Sequence, residues 1–191
     1  MPLLILLSAA GAARANPGGA PWGHAGAPAA EAANRLIGAP AGADCTACHF
    51  DAPPLRNVPA LGVNGLPTLV TPEGRYQLMV VLRAPMVRAG FQLRVSDEKG
   101  KVLGVLHAGD GRVEVGPEGA RSTLAGATPL GLNVTHWSVE WIAPKTVQGP
   151  IVFSVAANAG NDDASPFGDK IYLYQTRVLP APVPRGDGKA H

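Results

Sequence analysis

Apolar and polar side chains alternate one by one along several short runs between residues 75 and 178. In the first run, every second residue from Tyr76 to Leu82 is large and apolar. A period of two is typical of a strand with one face in a protein core. Runs of this kind cover 76–83, 91–96, 102–107, 113–115, 136–141, 151–155 and 171–178.

Turn-forming residues separate these runs, and residues 50–68 and Asn158–Asp169 are predicted as loops. Asp97–Gly100 has the composition of a turn, and Pro144 ends the run that contains the tryptophans because proline donates no ladder hydrogen bond. Six or seven short strands with almost no helix predict an all-β protein, a β-sandwich whose core lies between two sheets. We expect Trp137 and Trp141, four residues apart on one strand face, to belong to this core.

Composition bounds the protein further. The 191 residues include 46% apolar and 16% charged residues, enough for one domain with a real core. The formal net charge is +2 and no cluster of Lys and Arg is present, so a nucleic-acid partner is not indicated.

The chain divides by composition into five parts. Residues 1–15 resemble a signal peptide with Ala13-Arg14-Ala15 as the cleavage site, although they also fit a disordered Ala/Gly-rich leader. This run is too short to span a bilayer, so we expect an exported mature protein, periplasmic or extracellular, without an integral membrane segment. The expected parts are the leader 1–15, an Ala/Gly/Pro-rich arm 16–44 with a short helix near 29–36, an attachment segment 45–68 rich in loops, the sandwich 69–179 and a flexible tail 180–191.

The sequence Cys45-Thr46-Ala47-Cys48-His49 has the spacing of a c-type haem attachment motif. Two thiols three residues apart reach two vinyl groups on one edge of a porphyrin, and the histidine that follows supplies a nitrogen ligand to iron. We therefore predict one covalent haem c, with Cys45 and Cys48 as thioether donors and His49 as the proximal ligand. A redox disulfide would be expected in a βαβ setting, and a zinc site would need a second ligand pair.

The sixth iron ligand decides what such a haem does. A second histidine or a methionine closes the iron and favours electron transfer, whereas an open position admits a gas or a peroxide. The candidate side chains are His24, Met79, Met86, His107, His136 and His191. For each of them, ordinary packing or surface exposure is the alternative.

The order of motifs resembles the bacterial Reelin-like domain proteins, also called choice-of-anchor V domain proteins. The matching pieces, between residues 38 and 178, are GAPAGADCTACH (38–49), YQL (76–78), GFQL (90–93), VTHWSVEW (134–141), Ala143-Pro144 and GDKIY (168–172). The resemblance implies an immunoglobulin-like β-sandwich, exported, with a cysteine-pair motif before the first strand. It also implies a Thr-His pair before the tryptophan strand, which is Thr135-His136 here. On this basis we expect His136 as the sixth ligand, with Met86 as the alternative.

Three functions remain open at this point. The main hypothesis is an exported monohaem cytochrome that transfers single electrons to transient redox protein partners rather than an enzyme. The first alternative is a Reelin-like binding or adhesion module in which the haem or the cysteine pair is structural. The second is a haem gas sensor or peroxide-reactive protein with an open sixth position.

Overall fold

The computed structural model describes residues 20–27, 43–163, 165 and 167–182. Among these residues, eleven strands form two sheets, and two short 3₁₀ turns, Cys45–Ala47 and Ala125–Ala127, lie outside them. The strands are β1 (Leu55–Arg56), β2 (Leu61–Asn64), β3 (Leu69–Val70), β4 (Arg75–Arg83), β5 (Arg88–Ser96), β6 (Val105–Ala108), β7 (Val113–Gly116), β8 (Gly119–Ser122), β9 (Val134–Ile142), β10 (Ile151–Gly160) and β11 (Lys170–Pro180).

The large sheet has seven strands in the order β1-β11-β10-β5-β8-β7, with β3 also paired to β11. The small sheet has the order β2-β4-β9-β6. The long strands pair antiparallel, while the two-residue strands β1 and β3 run parallel to β11. The expected all-β sandwich is confirmed.

The core between the sheets is built from the predicted inward positions. Trp137 and Trp141 on β9 are fully buried, and they pack against Phe91 of β5 and Phe153 of β10 with ring centroids 4.6 and 5.1 Å apart. Each indole N–H donates a 2.9 Å hydrogen bond to a loop carbonyl, so that neither buried donor is left unpaired.

Two segments differ from the sequence prediction. Residues 50–68, predicted as a loop, contain β1 and β2, so the sandwich begins before residue 69. Asn158, predicted at the start of a polar loop, lies within β10, opposite Ile171 of β11. Pairing with long neighbouring strands on both sides extends β10 beyond its apolar run.

The outer face of β5 is buried, although its alternation predicted a half-exposed strand. Gln92, Arg94 and Ser96 point away from the core, yet each is at most 4% exposed. Arg94 forms an ion pair with Glu118 and donates a hydrogen bond to Gly100 O at 2.7 Å.

Residues 20–27, here named the strap, cover part of this outer face. The Gln92 side chain donates to Ala20 O and Pro21 O and accepts a 2.9 Å bond from the His24 backbone N–H. The Arg121 guanidinium lies 4.3 Å from the Trp22 ring centroid and donates to Ala20 O. The strap therefore lies against β5 and β8.

The strap follows one row of the large sheet. Strand register places outward-facing residues of six strands side by side in the order Glu114, Arg121, Gln92, Ala156, Leu173 and Arg56. The strap contacts Arg121 and Gln92 at one side of this row, and Gly26 lies beside Leu173 at the other. It crosses the sheet roughly perpendicular to the strands.

Several predicted features fall outside the described residues. These are the leader 1–15, the short helix near 29–36 and most of the tail, 183–191. Within the part of the chain that the structure describes, no helix is long and apolar enough to cross a membrane.

Replacing Trp137 by alanine is expected to lower the free energy of unfolding by about 3–5 kcal/mol, because a fully buried indole leaves a cavity when it is removed. Leu132→Ala is the matched control, since Leu132 is 91% exposed and its loss should change stability by less than about 0.5 kcal/mol. Urea unfolding followed by circular dichroism measures both. Equal effects of the two substitutions would contradict the described core.

Candidate functional site

A capped 3₁₀ turn holds the cysteine motif. Asp44, which is buried, precedes the turn, and its carboxylate accepts hydrogen bonds from the backbone N–H and the hydroxyl of Thr46 at 2.8 and 2.5 Å. At the end of the turn, the carbonyl oxygen of Cys45 accepts a hydrogen bond from the backbone N–H of His49 at 3.0 Å. This local folding places Cys45, Cys48 and His49 within one tight turn.

The two thiols of the motif lie in different environments. Cys45 packs against Ala156, Ile171 and Leu173 on the outer face of the large sheet. Burial, followed by the charges of Asp44 and Cys48, raises the pKa of the Cys45 thiol to about 12. Cys48 is exposed, and both residues are free cysteines. Cys45 therefore anchors the turn to the sheet while Cys48 faces solvent.

His49 lies between two polar residues at the end of the β10–β11 hairpin. Its Nδ1 is 2.8 Å from Asp169 Oδ2, close enough for an ion pair although the ring N–H is not aligned as in an ordinary hydrogen bond. Its Nε2 is 3.4 Å from Nδ2 of Asn158. The imidazole is thus positioned by the sheet on the face that Cys45 contacts.

The hydrogen-bond partners indicate which nitrogen of His49 carries the proton. Asn158 Nδ2 also lies 3.1 Å from Asp169 Oδ2, and because a carboxylate only accepts, this contact fixes which end of the amide is the donor. The second N–H of the same amide faces Nε2 of His49, so Nε2 carries a lone pair that is directed at Asn158. The proton is therefore assigned to Nδ1, beside the carboxylate.

Asp169 has little contact with solvent, at 6% exposure, and is held on several sides. Its Oδ1 accepts the backbone N–H of Asn161 at 3.1 Å. A Cβ at Gly160 would lie 3.2 Å from the same oxygen, so a larger residue there would crowd the carboxylate. A buried carboxylate needs such donors, because an unpaired charge in the interior is costly.

The β10–β11 loop also contacts the residues after the motif. Gly168 N donates to Asp51 Oδ2 at 2.7 Å. The rings of Phe50 and Phe167 meet edge to face with centroids 5.7 Å apart, and both remain more than half exposed. Two aromatic rings therefore flank the motif on its solvent side.

The structure does not bring His136 to the motif. Thr135 and Trp137 point into the core, so His136 points outward from the small sheet, and two packed sheets separate it from His49 on the outer face of the large one. Met86 follows β4, and its side chain packs against the core rather than against the motif turn. Neither of the two sixth-ligand candidates from the sequence is placed beside His49.

Sequence analysis missed Asn158 and Asp169 as parts of this site. Asp169 belongs to the GDKIY piece of the family resemblance, and Asn158 belongs to the predicted polar loop. Neither residue has a sequence spacing that relates it to His49. The pairing of β10 with β11 brings them together. The available signal was Asn158 itself, a polar residue near the end of the mostly apolar stretch that forms β10.

The side chains at the motif fit a covalent haem. Histidines that bind metals usually hold their second ring nitrogen against a carboxylate or carbonyl, as His49 does. Asn158 Oδ1 is buried without a hydrogen-bond partner among the described residues, which marks this corner as incompletely paired. Two free thiols and one imidazole are the donor types that haem c uses. In the described arrangement the Cys45 thiol packs on the sheet and Nε2 of His49 faces Asn158, so haem attachment would have to release both contacts.

Comparison with known proteins yields fold neighbours alone. The chain matches no family model and no curated protein. It is similar to the human F-spondin reeler domain (TM-score 0.48, 15% identity, 69% of this chain and 97% of that one) and to the Reelin-N domain of F-spondin (TM-score 0.48, 17% identity, 68% and 93%). A second fragment of the human reeler domain gives a TM-score of 0.45 at 19% identity over 67% and 96%. At these values the neighbours carry no argument about what this chain binds.

In the haem-free folded chain, Cys45 is expected to react with iodoacetamide at pH 8 at least about tenfold more slowly than Cys48, because its raised pKa keeps the thiol protonated. The single-thiol variants Cys48→Ser and Cys45→Ser allow each rate to be measured separately. The Cys45 rate should continue to rise as the pH approaches 12, and urea should make the two rates similar. Equal rates in the folded variants would contradict the packing of the Cys45 thiol against the sheet.

Proposed function

We propose that the chain is an exported haem c protein that transfers single electrons to transient redox partners. Cys45 and Cys48 would hold the haem through thioether bonds and His49 would ligate its iron. The spacing of Cys45, Cys48 and His49 carries the proposal, and Asp169 supports it by holding Nδ1 of His49 at 2.8 Å; an iron atom at Nε2 would replace the contact with Asn158. None of the neighbours named above is described as a haem protein, so the proposal rests on the motif and its geometry.

Bound haem would supply reversible one-electron chemistry at its iron. The chain's own groups set the conditions for that chemistry. Asp169 holds the His49 ring at Nδ1 and would increase the donor strength of Nε2, while Asn158 would give up its contact with Nε2 to the iron. Phe50 and Phe167 supply exposed apolar surface beside the motif, which suits a weak contact with a redox partner.

A binding module is the second candidate function. Large apolar side chains are exposed on loops at one end of the sandwich, where Ala84 N donates to Asn133 O and Val87 N donates to Gly160 O. The exposed residues are Val87, Leu124, Leu130 and Leu132. Clustered exposed apolar residues are a common feature of interaction sites. Under this hypothesis the cysteine pair stabilises the attachment of the motif turn and carries no redox function.

Expression with the cytochrome c maturation machinery and an export signal tests the proposal. Haem that stays with the denatured wild-type chain through acid–acetone extraction is expected, whereas Cys45→Ala/Cys48→Ala should lose all of it. Ala47→Ser, which changes an exposed residue inside the motif, is the matched control and should retain haem. Wild-type chain exported without covalent haem would overturn the proposal and leave the binding module.

Asp169→Asn is expected to raise the reduction potential while covalent haem is retained. The carboxylate beside Nδ1 favours the more positive, ferric state of a ligated iron, and an amide removes that charge. Asp51→Asn is the matched control, because Asp51 bonds Gly168 of the same loop and makes no described contact with His49. Spectroelectrochemical titration of the three proteins gives the potentials. An unchanged potential in Asp169→Asn would show that this carboxylate does not act on the ligand.

A further inference from the structure

Two adjoining loops at one end of the sandwich contain no charged residue. The β4–β5 loop covers residues 84–87, and the loop that leads into β9 covers residues 123–133. Neither range includes Asp, Glu, Lys or Arg. Strand register places both loops at the same end, because Arg83 at the end of β4 pairs with Val134 at the start of β9. These two loops are here named the apolar tip.

Large apolar side chains of the apolar tip are exposed to solvent. Leu132 is 91% exposed, and Val87, Leu124 and Leu130 are each between 51% and 60% exposed. A single exposed leucine is ordinary on a protein surface, and its exposure needs no explanation. Four such side chains on adjoining loops without any charge between them are typical of a surface that binds an apolar partner.

Hydrogen bonds hold the two loops of the apolar tip in place. The backbone N–H of Ala84 donates to Asn133 O at 3.0 Å, which joins one loop to the other. The Arg112 guanidinium donates to Thr128 O at 2.9 Å, and Arg88 donates to the Thr128 hydroxyl at 3.2 Å. The exposed side chains therefore start from an ordered backbone, so binding has little loop ordering to overcome.

The kinds of residue exposed on the apolar tip fit a lipid surface better than a protein surface. Binding sites for proteins depend mainly on Trp, Tyr and Arg, and Leu and Val are under-represented among the residues that carry the affinity. The exposed apolar residues of the tip are three leucines and one valine. Both types are favoured in hydrocarbon, and loops without charged groups give up little hydration when they approach it.

Basic side chains lie at the base of the apolar tip. Arg83 is the last residue of β4 and Arg88 is the first residue of β5, so an exposed arginine stands at each end of the uncharged β4–β5 loop. Arg88 forms an ion pair with Asp162 at 3.3 Å, whereas Arg83 forms no ion pair with another described residue. A guanidinium binds phosphate oxygens well, and the phosphates of a bilayer lie just outside its acyl chains. The charge at the base of the tip is therefore complementary to a lipid headgroup layer.

We propose that the apolar tip binds the surface of a lipid bilayer. The leucines and the valine enter the boundary between headgroups and acyl chains, and Arg83 contacts lipid phosphate. Insertion is shallow, because irregular backbone is not stable within the hydrocarbon. Affinity is weak, with an association constant on the order of 10⁴ M⁻¹, as for a single acyl chain. This inference does not rest on haem attachment, and it gives the second candidate function a partner.

Co-sedimentation of the full chain with phosphatidylcholine vesicles tests the binding. Leu132→Asp should lower the association constant about tenfold, because it places a carboxylate where the wild type has its most exposed leucine. Leu179→Asp is the matched control and should bind as wild type, since Leu179 is 56% exposed near the end of β11, at the opposite end of the sandwich. Far-UV circular dichroism of both variants should match that of the wild type.

A second measurement locates the contact with lipid, which matters because residues 1–15 are themselves apolar. Leu132→Trp and Leu179→Trp each place a fluorescent side chain at an exposed position. On vesicles with brominated acyl chains, the added tryptophan at 132 should be quenched and its emission should shift to shorter wavelength. The added tryptophan at 179 should not respond. The wild type supplies the background of the native tryptophans.

The outcomes separate this inference from the haem proposal. Vesicle binding that Leu132→Asp leaves unchanged, or equal quenching at 132 and 179, would overturn the role of the apolar tip. A wild-type chain that does not bind vesicles would also overturn it and leave a protein as the partner of these loops. None of these results bears on covalent haem, which the extraction experiment decides by itself.

Discussion

Burial of the central strands of the large sheet on both faces constrains the rest of the structure. The inner faces of β5 and β10 pack against the tryptophans of β9, while the outer faces lie under the strap and the motif turn. An unpaired buried polar group costs about 1–3 kcal/mol, so pairing of the polar side chains on such a strand is favoured, although Ser96 Oγ has no hydrogen-bond partner among the described residues. Gln92 is paired through strap backbone atoms and Arg94 through Glu118 and Gly100 O.

The cover over the outer face also assembles the candidate site. Because Cys45 packs on β10 and β11, the residue four positions later reaches the polar end of the same hairpin. There a buried carboxylate, Asp169, lies beside an imidazole N–H, and the amide of Asn158 faces the other ring nitrogen. The contact that anchors the turn and the contacts that orient His49 thus belong to one short segment.

Periodicity predicted the strands whose outer faces meet solvent, and it was less reliable for the covered sheet. On β9 the alternation of buried and half-buried residues follows the sequence pattern from Val134 to Ile142. On β5 the polar residues alternate just as regularly, yet they are buried. Their cover comes from residues far away along the chain, and no local pattern reports it. Asn158 was assigned to a loop for a similar reason, since pairing with β11 determines where β10 ends.

The sequence by itself determined the all-β class, the tryptophan core and the presence of Cys45, Cys48 and His49 in one turn. These features depend on side-chain period and on spacing within a few residues, which are local properties of the chain. Tertiary structure alone decided which histidines and carboxylates lie near the motif. It placed Asp169 beside His49, His24 on the same face and His136 on the opposite sheet, because strand register and layer order bring together residues that are remote in sequence.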